Sequence, residues 1–90
     1  MPTVRFPPHL LRHVKAAPVV AVRGATVAEA LLDVERIFPG VRDYLVDERG
    51  SLRKHVNIFI GEQWVRDRVA LSDPIAEDAE VFVFQALSGG

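Results

Sequence analysis

The 90-residue sequence contains no cysteine. Disulfides, thiolate metal sites and thiol nucleophiles are therefore excluded. Charge of one sign is also lacking: eleven Lys and Arg stand against twelve Asp and Glu, a net charge of −1. The signs are interspersed, whereas binding a phosphate backbone needs a clustered basic face, so no nucleic-acid partner is expected. The densest basic stretch, Arg49, Arg53, Lys54 and His55, has Asp47 and Glu48 beside it and reads as a solvated loop. No apolar run approaches the ~20 residues that span a bilayer. Met1 to Pro8 has no basic segment leading into a long apolar one, so neither a membrane association nor a secretory signal is expected, and the expected location is cytoplasmic. Repeats, low-complexity segments and linkers are likewise missing, and the length suits one domain with one modest core.

What is present reads as short strands around one helix. Thr3 to Phe6 alternates, with Val4 and Phe6 on the buried side, and Pro7-Pro8 ends it. Pro7 to Pro18 is a loop in which Leu10, Leu11 and Val14 can form one helical turn. His9 and His13 lie one turn apart, but no further ligand stands near them to complete a metal site, and no metal or bound cofactor is expected. Val19 to Val22 is a second strand. Thr26 and Glu29 form a capping box, with the carboxylate returning to the Thr26 N–H. The helix then runs to about Phe38, with Val27, Ala30, Leu31, Val34, Ile37 and Phe38 on one stripe. Pro39-Gly40 stops it. Val41 to Leu45 is a short helical turn. His55 to Ile60 is a third strand, Gly61 to Gln63 a hairpin turn and Trp64 to Arg66 a fourth strand. Asp67 to Ala79 is irregular, anchored by Leu71 and Ile75. A tight turn at Glu77-Asp78 leads into the last and most apolar strand, Val81 to Phe84, which is expected at the centre of the sheet. The predicted class is α+β: a ubiquitin-like β-grasp, with a mixed four- to five-stranded sheet and one main helix on one face.

Alternation along the last two long strands divides the sheet into two faces. Val56, Ile58, Val81 and Val83 suit the helix and are assigned to the core. Phe59, Phe82 and Phe84 fall on the far face, where no second helix exists to cover them, and are the expected partner-binding residues. Alternatively, the loop from Pro7 to Pro18 folds over these rings as a second small core. Beyond the strand, Ala86 to Gly90 is expected to be a flexible tail on a folded domain of residues 1–85. Gly89 and Gly90 impose almost no width, and five extended residues reach roughly 17 Å. Such a segment can pass down a narrow channel and present a carboxylate inside another protein.

On Gly24-Ala25-Thr26-Val27, on Val56 to Ile60 with the polar turn and Val65-Arg66 that follow, and on Ile75 to Val81 running into Leu87-Ser88-Gly89-Gly90, the chain resembles the ThiS/MoaD sulfur carriers over nearly its whole length. Two positions depart from the pattern. Ser88 replaces a small residue that is often alanine. Asp78 stands in a turn where glycine is common, which implies a small cost if the turn is left-handed. The resemblance implies that an E1-like adenylyltransferase uses ATP to join Gly90 to AMP. Sulfide or a persulfide donor then leaves a thiocarboxylate, and Leu87, Ser88 and Gly89 thread the partner's channel. A sulfur-accepting synthase subunit is the implied second partner. The pathway stays open among molybdopterin, thiamine, cysteine and similar products. The chain offers no defensible nucleophile–base set and is expected to be a carrier, not an enzyme. Two alternatives stand beside this reading: a protein modifier joined to lysine through Gly90, and a plain β-grasp interaction domain.

Overall fold

The computed structural model describes residues 1–85, so the expected tail at 86–90 lies outside the described residues. In chain order the elements are β1 (Thr3–Arg5), a 3-10 turn (Leu10–Arg12), β2 (Val19–Ala21), α1 (Val27–Ile37), α2 (Val41–Leu45), β3 (Val56–Ile60), β4 (Gln63–Trp64) and β5 (Glu80–Gln85). The strands form one sheet in the order β2-β1-β5-β3-β4. β1 pairs antiparallel with β2 and parallel with β5, while β3 lies antiparallel to both β5 and β4. The most apolar strand is thus central, and the arrangement is the expected β-grasp with five strands.

Alternation puts Val4, Val20, Val56, Ile58, Val81 and Val83 on one face, all buried against α1 and α2. The helices answer with Val27, Ala30, Leu31, Val34, Val41 and Leu45. Each valine, leucine or isoleucine so removed from water contributes about 1.5–3 kcal/mol. Ile37 departs from the expected stripe and is 37% exposed. At 3.6 residues per turn it falls on the stripe's margin, whereas Phe38 falls near the middle and is partly buried against the core. Leu10 is fully buried in this same core, and the His13 ring lies 6.4 Å from Tyr44 of α2. The loop from Pro7 to Pro18 therefore closes the helical side and does not cover the aromatic face.

The start of α1 is fixed from three directions. The Thr26 hydroxyl accepts the Glu29 N–H at 3.2 Å as expected. The Glu29 carboxylate, however, accepts the Ala25 N–H at 2.8 Å, one residue earlier than a standard capping box would place it. Gly24 lies so close to the first turn that a Cβ there would stand 2.8 Å from the Ala30 nitrogen, at φ +154°. The loop from Asp67 to Ile75 supplies further caps: Asp73 and Leu71 carbonyls accept the Val27 and Ala28 N–H groups. That loop is gathered around Asp67, whose carboxylate accepts from the Ser72 hydroxyl and from the N–H groups of Val69, Ala70 and Ser72. These donors, the Ser72 hydroxyl first, hold the Asp67 carboxyl down to about 2. Leu71 is buried there at φ +54°, the one non-glycine residue with positive φ among the described residues. Asp78 is consequently not left-handed, and the turn closes with Ala79 N–H donating to Ala76 at 3.0 Å without the cost expected for it.

Candidate partner-docking face

The face away from the helices is built by register. Arg5 pairs with Val19 on one side and Phe82 on the other; Phe82 pairs with Phe59, and Phe59 with Trp64. Because directly paired residues point the same way, these five side chains form one row across all five strands, with Phe84 two residues beyond Phe82. The three phenylalanines predicted for this face all lie on it, but unequally. Phe84 is 44% exposed. Phe59 and Phe82 are half-buried. The cause is visible in their neighbours: the Phe59 ring centroid is 3.6 Å from that of Trp64, and the Arg5 guanidinium lies 5.8 Å from the Phe82 ring. Phe84 meets Phe59 edge-on at 5.5 Å and Trp64 at 6.0 Å.

Trp64, 52% exposed, is the member of this cluster that was absent from the predicted set. The expected hairpin has a three-residue turn, Gly61 to Gln63, and a strand from Trp64 to Arg66. The turn is instead two residues, Gly61-Glu62, with Ile60 opposite Gln63 and the strand ending at Trp64. Gly61 takes φ +60° at the first turn position, where a type II′ hairpin uses glycine. The Gly-Glu pair was the available signal, and reading it as a two-residue turn sets Trp64 against Phe59.

An open groove of about 410 Å³ runs beside the cluster, lined by Lys54, His55, Val56, Asn57, Trp64, Phe84 and Gln85. Gln85 is the last described residue, so the groove adjoins the place where Leu87, Ser88, Gly89 and Gly90 follow; those four predicted site residues lie outside the described residues. The Arg68 guanidinium donates to the Arg53 and Val56 carbonyls, each at 2.8 Å, and so holds the backbone on both sides of Lys54 and His55. Both side chains are exposed, as a solvated loop requires, yet they also border the groove. Among the described residues no three of His, Asp and Glu gather to hold a metal ion, and no helix is long and apolar enough to cross a membrane.

No protein-family model matches the chain. Whole-chain relatives do. The sulfur carrier protein CysO of Mycobacterium tuberculosis, and that of Mycobacterium bovis, is 30% identical over 90 residues, covering 98% of this chain and 97% of the relative. A chain of the Amycolatopsis orientalis BexX/CysO complex superposes with a TM-score of 0.87 at 29% identity, covering 100% of both chains. SAMP1 from Haloferax volcanii shares the fold, with a TM-score of 0.81 at 23% identity over 99% of this chain and 98% of that one. Likeness of sequence along the whole length, and of fold over the full chain, establishes that the chain belongs to the ThiS/MoaD family of ubiquitin-like sulfur carrier proteins.

Proposed function

We propose that Gly90 is the point of sulfur loading. An E1-like adenylyltransferase joins its carboxylate to the α-phosphorus of ATP, and pyrophosphate leaves. A carboxylate resists nucleophiles, whereas an acyl adenylate has a good leaving group. Hydrosulfide then attacks the acyl carbon, AMP departs with the bonding electrons, and a thiocarboxylate remains. A persulfide donor reaches the same product once a thiol reductant cleaves the intermediate S–S bond. The thiocarboxylate passes its sulfur to a biosynthetic acceptor, a synthase subunit or comparable enzyme. ATP is used by the activating enzyme, and the carrier itself binds no cofactor.

The observation that carries this reading is Leu87-Ser88-Gly89-Gly90 coming one residue after the central strand in the sequence, in a chain of the sulfur carrier family. The aromatic face supports it. Phe59, Phe82, Phe84 and Trp64 give a partner an apolar surface next to Gln85, so a protein seated there has the tail at hand. That the related CysO occurs in a complex with BexX is in keeping with a carrier that works while docked.

Intact mass spectrometry tests the proposal. After incubation with the cognate activating enzyme, ATP and sulfide, the carrier should gain the mass of one oxygen replaced by sulfur. The variant lacking Gly90 should melt like the parent and gain nothing. Loading that survives the truncation overturns the proposal, and a lysine-linked conjugate formed in place of the thiocarboxylate identifies a protein modifier.

A further inference from the structure

The charges on the aromatic face are distributed in a way that the composition conceals. Six of the twelve carboxylates accept backbone N–H groups in caps and loops: Glu29, Asp33, Glu35, Asp47, Asp67 and Asp73. They are fixed where they cap and close turns. On the strands of the exposed face the one carboxylate is Glu80, at the start of β5 and 3.5 Å from Arg5. Gln85 ends the same six-residue strand, about 17 Å away at ~3.3 Å per residue. Around Gln85 the groove is lined by Lys54 and His55 with Trp64 and Phe84, and by no carboxylate. A near-neutral protein therefore has a carboxylate-free edge at the end of β5, where Lys54 stands beside two aromatic rings.

Taking the docking reading above as its basis, we infer that the groove receives an acidic segment of the activating enzyme, in which a carboxylate meets Lys54 while an apolar side chain lies against Trp64 and Phe84. Lys54 is exposed and held by no internal hydrogen bond or ion pair among the described residues, so its ammonium is available to a partner. Arg68 fixes the backbone beneath it, which gives the charge a defined position next to the groove. A charge at the rim of an interface acts mainly on encounter and orientation. Here it lies beside the root of the tail, so the matching carboxylate lies beside the mouth of the partner's channel, and the pairing orients the carrier with its tail inward.

The test is association kinetics between the full-length carrier and its activating enzyme, measured without ATP or sulfide over a range of NaCl concentrations. Lys54→Glu should lower the association rate constant tenfold or more and leave the dissociation rate constant within about twofold. Lys54→Gln should flatten the salt dependence seen with the parent. Both variants should melt like the parent, since the side chain is exposed. An association rate unchanged or raised in Lys54→Glu overturns the inference, as does parental binding that is insensitive to salt. Direct binding of ATP or pyrophosphate to the free carrier that shifts the Trp64 fluorescence and is lost in Lys54→Gln also overturns it, by making the occupant a phosphate compound. An enzyme that binds in this charge-dependent way yet leaves Gly90 unloaded refutes the loading proposal alone.

Discussion

Phe59 and Trp64 stand opposite each other on β3 and β4, their ring centroids 3.6 Å apart and their planes 40° apart. Trp64 stays 52% exposed despite this contact, and Phe84 meets both rings edge-on. Aromatic clusters packed on one side and open on the other are typical interface anchors. Replacing Phe84 or Trp64 with alanine should each weaken binding to the activating enzyme by about 2 kcal/mol or more. Loss of the aromatic contacts should cost the fold only about 1 kcal/mol. Calorimetric titration alongside thermal melts separates the two. Unchanged affinity in both variants would remove this face from the interface.

Gly24→Ala should destabilise the fold by about 2 kcal/mol or more, because the new methyl meets backbone atoms of α1 and the residue sits at positive φ. Chemical denaturation measures this directly. A variant as stable as the parent would mean that the loop before the helix shifts freely, against the three-sided capping described above.

Thr26→Ala removes the hydroxyl that accepts the Glu29 N–H and should cost about 1 kcal/mol. Thr26→Ser should recover most of it. Equal losses in both variants would assign the effect to the threonine methyl instead of the cap.

Asp67 yields a prediction in pH. Its folded carboxyl titrates near 2, below the ~3.9 of an unfolded aspartate. The depressed value means that the carboxylate's contribution is fully present above pH ~4 and is lost as pH falls through about 2. Asp67→Ala should therefore melt at a lower temperature than the parent at neutral pH, and the gap should narrow between pH 4 and 2. A gap that stays constant through that window would show the carboxylate charge to be irrelevant to the loop.

The sequence made the layered plan legible because alternation in Val81 to Phe84 and in Val56 to Phe59, together with the 3.6-residue stripe of α1, left one workable way to bury the aliphatic residues. It marked three of the four aromatic residues on the far face. Trp64 was missed because its side depends on a single residue of turn length, and a slip of one reverses every side chain that follows. The Glu29 cap was displaced by one residue because a flexible carboxylate can reach either of two neighbouring N–H groups. The clamp around Asp67 and the left-handed Leu71 carry no periodic signature at all; they follow from tertiary contacts with the helix start. Lys54 and His55 read as an ordinary loop because only the pairing of Val56 with Gln85 brings them to the end of β5.

β1 and β5 are neighbours in the sheet, although nearly the whole chain separates them. During synthesis the β1–β2 hairpin, the helices and the β3–β4 hairpin all emerge before the strand that unites them. Contacts so distant in sequence make for slow closure, since long loops must be ordered before they are rewarded. Until β5 arrives, two half-sheets lie with unpaired edges, and a nascent chain is open to wrong partners along both. Closure of the domain is thus timed by β5, the strand that joins the β2-β1 half of the sheet to the β3-β4 half.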